Sequence, residues 1–179
     1  PFQHIDSAVL KRMNRHTDEQ STRELVKKVK AAGITLRTTF ICGFPGESEE
    51  AHRLLCEFVR EGNLDFAGFF AYSREEGTPA DRLGGHIDEA EKERRENELC
   101  EIQQEVISKR NARLKGSVVK VIYDGIDYDR QAFIGRAAFQ APDIDGVVYF
   151  TSDSEVRIGE FYEVEIVGAE GVDLLGRVI

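Results

Sequence analysis

TTFICGFPGESEE, residues 38–50, decides the fold of this chain. An apolar run rich in β-branched and aromatic residues reaches Gly43-Phe44-Pro45-Gly46 and passes at once into a helix start, which reads as strand, tight turn and helix. Gly43 and Gly46 can take backbone conformations closed to other residues, and Pro45 fixes φ and gives up its donor. Ser48 is placed to cap the helix, with Glu49 and Glu50 in the first turn where the dipole favours acids. Ala51, Leu54, Leu55, Phe58 and Val59 then fall on one face, and Gly62 stands where a C-terminal cap belongs. Two acids at the helix start disfavour phosphate. A ligand at this turn would be neutral or cationic, such as a base stacked or hydrogen-bonded along the strand end.

Around this stretch, residues 1–84 alternate helix and strand. Ser7, Val9, Leu10 and Met13 predict a short helix, and Ser21-x-x-Glu24 predicts a capping box ahead of Leu25, Val29 and Ala32, closed by Gly33. Residues 34–42 and 64–72 read as strands, so the βαβ spacing implies parallel neighbours joined by a right-handed crossover. Binding groups then belong at the strand C-terminal ends, at Gln3-His4, 42–47 and 72–78. Residues 85–116 form a connecting segment with one helix from about 87 to 114, capped by Asp88 and striped by Leu99, Ile102 and Val106. Its mixed charges predict a solvated face laced with i,i+4 pairs.

From residue 117 to 179 the pattern changes to β. Runs at 118–123, 133–139, 147–151, 161–167 and 174–179 are separated by Asp-Gly, Pro-Asp and Gly-rich turns, which predicts a small antiparallel barrel of the OB-like kind. The fold class expected is therefore α/β, part of an (αβ) barrel followed by a small all-β barrel. At 179 residues and 41% hydrophobic content there is material for two modest domains. Of the net charge of −9, the region from Ser117 onward carries −7, with twelve acids against five bases. Such a barrel should repel nucleic-acid phosphate and attract a basic partner; the plainer reading, that the charge only aids solubility, has equal weight on charge alone. No run is long or apolar enough to span a bilayer, and the cytoplasm is the default location. Cys42, Cys56 and Cys100 are too scattered in sequence for a cluster or zinc motif, so they read as packing groups and no metal ligands are assigned.

Four ordered segments carry a resemblance: Pro1-Phe2-Gln3-His4, LKRMNR at 10–15, LRTTFICGFPGE at 36–47 and FAYSREEGTPA at 70–80. Together they make the chain similar to the C-terminal part of the radical S-adenosylmethionine methylthiotransferases, in the branch that modifies an aspartate of the twelfth small-subunit ribosomal protein. The resemblance implies a fragment of a longer enzyme, with part of the radical S-adenosylmethionine barrel and a TRAM-type barrel. It implies two cofactor types, S-adenosylmethionine and two four-iron four-sulfur clusters whose ligands lie outside this chain. Gly43, Phe44, Pro45, Gly46 and Glu47 would line the adenine side of the cofactor, and Gln3 and His4 its methionine and ribose portion. Tyr72 and Ser73, with Arg74, Gly77 and Thr78, match a loop able to close over adenine or substrate. Arg37 and Thr39 alternate along the strand; an arginine there needs a carboxylate, either the cofactor's or an internal one. Asn14 and Arg15 also match and read as structural. The turn acids Asp124, Asp127, Asp129, Asp143 and Asp145 would meet a basic ribosomal protein substrate, with RNA disfavoured at the barrel and no membrane partner. Transfer-RNA methylthiolation, or a non-catalytic binding module, remain as alternatives.

Overall fold

Residues 37–42 form strand β1 (Arg37–Cys42), which alternates exposed and buried side chains and runs parallel to β2 (Phe66–Ala71), pairing Arg37 with Phe66 through to Cys42 with Ala71. The computed structural model describes residues 1–179 as two units, 1–106 and 107–179. In the first unit, Gln3 bridges Phe40 in the parallel sense, its N–H donating to the Thr39 carbonyl and its own carbonyl accepting from Ile41. The chain before α1 (Ser7–Arg12) thus continues the sheet on the other side of β1. Both strands are shorter than 34–42 and 64–72, because Leu36 donates its N–H to the Asp65 carboxylate while its carbonyl receives the Asp65 and Phe66 amides.

Helix α2 (Glu19–Ala31) begins earlier than the sequence pattern suggests. Asp18 is the N-cap and Ser21 sits at the third helical position, each side chain bonding the other's backbone N–H. The capping box is therefore Asp18 with Ser21, not Ser21 with Glu24, because a carboxylate three residues upstream satisfies the free amides first. Helix α3 (Glu49–Arg60) starts at Ser48 as expected, its side chain accepting from Ala51 N, and Gly62 follows with φ of 70°. Phe40 lies at the centre of this unit's core. Its ring stacks on Phe69 at 5.8 Å and meets Phe58 edge-on at 6.3 Å, with Ile5, Leu55, Val59, Leu64, Leu99 and Ile102 around it.

Helix α4 (Glu89–Arg113) is capped by the Asp88 carboxylate, which accepts from Glu91 N. Two of its charged residues are not on a solvated face: Lys92 and Arg95 are buried, 2% and 5% exposed. The predicted polar surface holds elsewhere, as in the Arg94 pairs with Glu91 and Glu98. The boundary between the units falls within this helix; Leu99 and Ile102 belong to the first core, whereas Leu114, just past the helix, packs into the second.

The second unit is a closed five-stranded barrel of β3 (Val118–Asp127), β4 (Ala132–Ala137), β5 (Val148–Thr151), β6 (Phe161–Glu170) and β7 (Asp173–Val178), in the order β3-β4-β5-β7-β6 with β6 returning to β3. Four seams are antiparallel, and β5 with β7 is parallel, since the β6–β7 hairpin lays β7 beside β5 in the same direction. Val121, Tyr123, Val148, Phe150, Val164, Ile166 and Leu174 point inward in strict alternation. The buried amide of Asn111, at the end of α4, donates to the carbonyls of Gly171 and Val172 in the β6–β7 turn.

Replacing Phe40 with alanine should destabilise the first unit by about 3–5 kcal/mol, the range for a fully buried aromatic that leaves a cavity. Chemical denaturation followed by far-ultraviolet circular dichroism measures it, and a loss below about 1 kcal/mol would remove Phe40 from its central place.

Candidate functional site

Three backbone features converge at the C-terminal end of the small sheet. Gln3 holds φ of 70° and Asn14 φ of 57°, both in the left-handed region that ordinary side chains avoid, and Gly43 and Gly46 follow β1 with φ of 72° and 84°. Gln3 and Asn14 line the same open cleft of about 540 Å³, together with Arg12, Arg15, Ile41 and Phe44 and the Thr78-Pro79-Ala80 run. Asn14 is accounted for as the C-terminal cap of α1, with Asn14 and Arg15 N–H donating to the Lys11 and Leu10 carbonyls, whereas Gln3, a residue that rarely takes positive φ, holds it beside a cleft of ligand size.

The turn that shapes this cleft is organised from behind by Glu47. Its side chain is fully buried and accepts the Gly43 N–H at 2.7 Å and the Phe44 N–H at 3.3 Å. Arg95 donates to its carboxylate at 2.9 Å and to its backbone carbonyl at 3.1 Å. His4, also buried, accepts the Asp6 N–H on Nδ1; that places its proton on Nε2, which faces the Glu47 carboxylate at 3.6 Å. Burial by itself would raise the Glu47 carboxyl, but His4 and Arg95 outweigh it and hold the group below its ordinary 4.5. Glu47 and His4 therefore position the turn and do not line the cleft.

The glycines are required for the same internal reason. A Cβ at Gly43 would sit 2.5 Å from Lys92 Cγ, and one at Gly46 would sit 2.7 Å from Arg12 Cζ. Arg12 donates to the carbonyls of Pro45 and Gly84 at 2.8 and 2.7 Å, and Gly46 N donates to the Gly85 carbonyl. Close approach at these two glycines is thus to the protein's own side chains.

The remaining expected residues divide by position. Phe44 lines the cleft and packs edge-on against Tyr72 at 5.1 Å; the buried Tyr72 hydroxyl has no partner, and Lys92 lies over its ring at 5.4 Å. Thr39 shares the face of Ile41, opposite Gly68. Ser73 is exposed and donates to Glu75. Arg37 is not brought to the cleft. It opens β1 at the far end from the turn, its guanidinium over the Phe66 ring at 4.9 Å. Sequence reasoning missed Arg12, Met13, Pro79 and Ala80 as cleft residues and treated Asn14 and Arg15 as structural. The Leu10-to-Arg15 segment was a visible signal, and Asn14 just past α1 suits a left-handed cap, but that this cap turns toward the cleft depends on the fold.

On the barrel, the five turn acids are not equivalent. Asp124 lies within β3 and forms a two-point ion pair with Arg136 at 2.6 and 2.8 Å. Asp127 accepts the N–H groups of Asp129 and Arg130, and Asp145 accepts that of Ala141. These three shape the barrel. Asp129 and Asp143 are exposed at loop tips, each next to an exposed large apolar residue, Tyr128 (82%) and Ile144 (74%).

Residues 116–179 match the TRAM domain family. Along its whole length the chain is 39% identical to the ribosomal protein uS12 methylthiotransferase RimO of Acetivibrio thermocellus and 42% identical to that of Geobacter sulfurreducens; over 99% of its length it is 43% identical to that of Paraburkholderia phytofirmans. Over its length the chain is thus similar to one part of these methylthiotransferases, and its last third matches the TRAM domain. It spans about 40% of the length of each of these relatives. No helix of the chain is long and apolar enough to cross a membrane.

Glu47→Gln should cost about 3 kcal/mol at neutral pH, as expected for removing one partner of a buried charge network. Because the folded carboxyl titrates below 4.5, its contribution is present above that value and lost as pH falls through the lower folded value. Melting temperature measured from pH 7 down to about 3 should therefore fall less steeply in the variant than in the parent. Parallel slopes would show that Glu47 is not charged in the folded state.

Proposed function

We propose that this chain supplies the cofactor-facing strand ends and the substrate-recruiting barrel of an enzyme that methylthiolates an aspartate of ribosomal protein uS12, working in the cytoplasm. The cleft carries the reading, because Gln3, held at positive φ, and the polar residues Asn14 and Arg15 meet at one ligand-sized concavity beside the GFPGE turn. The relatives over the whole chain, named for this modification, point the same way.

The cleft fits S-adenosylmethionine in its chemistry. Ile41, Met13 and Phe44 give an apolar wall for a base or methyl-bearing sulfonium, Gln3 and Asn14 offer amides, and Arg15 offers a guanidinium for a carboxylate. When bound beside a reduced cluster, this cofactor supplies a 5′-deoxyadenosyl radical able to abstract hydrogen from an unactivated carbon. The chain's own residues bind, orient and exclude water. Iron-sulfur clusters do not fit here: Cys42, Cys56 and Cys100 lie on β1, α3 and α4, and no grouping of potential ligands contains two of them. A chemistry requiring clusters takes its cysteines from other parts of the enzyme.

Barrel charge supports a protein substrate over transfer RNA. The barrel region from Ser117 onward, at net −7, disfavours phosphate, and the tips at Tyr128-Asp129 and Asp143-Ile144 set an apolar anchor beside an acid, a pairing suited to a basic protein surface.

In the full-length enzyme, Asp129→Lys with Asp143→Lys should slow association with uS12 about tenfold at low salt, and the parent rate should fall as salt rises. Fold stability should change by less than about 0.5 kcal/mol, since exposed charges contribute little. Arg15→Ala should weaken S-adenosylmethionine in calorimetry without altering the uS12 association rate. Tight transfer-RNA binding by the barrel at physiological salt, with indifference to uS12, would move the assignment to RNA modification.

A further inference from the structure

Behind the turn, on the inner side of α3, lies a cluster that the cleft does not use. His52 and Cys56 are one helical turn apart on α3 and share a face, and Glu98 of α4 comes to meet them. His52 Nε2 is 2.9 Å from a Glu98 carboxylate oxygen and 3.4 Å from Cys56 Sγ; the ligand atoms of all three residues lie within 4.8 Å of one another. All three belong to the first unit. We propose that His52 Nε2, Cys56 Sγ and the Glu98 carboxylate form a site for a zinc-class divalent cation that clips α3 to α4, with water completing a tetrahedron.

The chemistry of the donor set selects the metal. One imidazole, one thiol and one carboxylate offer nitrogen, sulfur and oxygen to a borderline-soft ion, which fits zinc and excludes calcium or magnesium, whose sites are built from oxygen. A thiolate and a carboxylate also cancel the two positive charges, leaving a neutral site in a largely buried place.

A second observation points to a ligand. His52 is 1% exposed, and its other ring nitrogen, Nδ1, is buried without a hydrogen-bond partner, 3.7 Å from Glu47 Oε1. Metal on Nε2 fixes the ring proton on Nδ1, directed at the Glu47 carboxylate, which is the outer-shell arrangement that orients metal-binding histidines. Metal on Nε2 thus sets the Nδ1 proton, and not its lone pair, toward the negative charge 3.7 Å away. Glu98 is 40% exposed at its side chain and provides the way in. Arg94, which donates to Glu98 at 3.0 Å, already pairs with Glu91 and Glu49 and retains both when Glu98 turns to the metal.

Coordination changes one protonation state. Burial, with a smaller contribution from Glu98, pushes the Cys56 thiol up to about 12, so the metal-free residue is a neutral thiol and its proton passes to solvent as the S–metal bond forms. No electron transfer is involved. The scattered spacing of the three cysteines gave no hint of this site because it needs only one of them, with the other ligands reached through the fold.

Anaerobic titration of the 179-residue chain with cobalt(II) reads the site directly, because a cobalt-bound thiolate gives a near-ultraviolet charge-transfer band. One equivalent should produce that band, and zinc should bleach it. Cys56→Ser should abolish the band, while Cys42→Ser and Cys100→Ser should keep it. His52→Ala and Glu98→Gln should each weaken cobalt binding about tenfold or more. Glu98→Gln is at a partly exposed position, so it tests the site even where Cys56→Ser or His52→Ala impairs folding. Zinc should raise the parent's melting temperature and leave that of Glu98→Gln unchanged. Absence of the band, its survival in Cys56→Ser, or cobalt affinity unchanged in Glu98→Gln would overturn the proposal.

Discussion

The buried carboxylate of Glu47 joins parts of the first unit that are distant in sequence. It receives two turn amides, an arginine from α4 and the charge-complementary edge of His4, and it faces His52 of α3. A lone charge in such a place would be intolerable, and only this full set of partners keeps it ionised. The turn therefore has the shape it does only while α4 is docked, because Arg95 supplies the positive charge and Lys92 fills the space beneath Gly43. Local sequence chooses the kind of turn, and tertiary charge pairing holds it against the cleft.

Much of the architecture is legible in the residues, for identifiable reasons. Helix α3 was readable because its apolar stripe, its Ser48 cap and Gly62 all agree. The five barrel strands were readable because each alternates and ends at a turn signal. What escaped was long-range. A dense field of Glu, Lys and Arg on α4 looks solvated, and nothing local says that Arg95 turns inward to Glu47, 48 residues away, or that the Lys92 stem is buried beneath Gly43. The parallel seam between β5 and β7 depends on where the β6–β7 hairpin lies, which composition does not encode.

The candidate site was legible in outline but not in roles. Residues 42–47 and the Gln3-His4 pair do meet at the sheet end, as strand-end logic requires. Yet side chains expected to contact ligand, Glu47 and His4, are turned away as internal supports, while Arg12, Asn14 and Arg15, set aside as structural or unnoticed, form the cleft wall. Alternation predicted the face of Thr39, but not that Arg37, at the start of the same strand, would cover Phe66. On the barrel, acids that look alike in sequence separate into ion-paired, turn-forming and exposed groups once Arg136 and the loop amides are in place.

Strand β7 takes part in two seams at once, antiparallel to β6 and parallel to β5, and follows every other strand of the barrel in the chain. Until it docks, β5 and β6 each present a bare row of amides and carbonyls, the surface on which unintended pairing with another chain begins. The β5 seam joins segments about twenty-five residues apart, with β6 between them, so closure awaits a non-local step and is expected to come late in folding. An open, acidic half-barrel is then expected to precede the closed one, and its like charges would keep such half-barrels apart from each other.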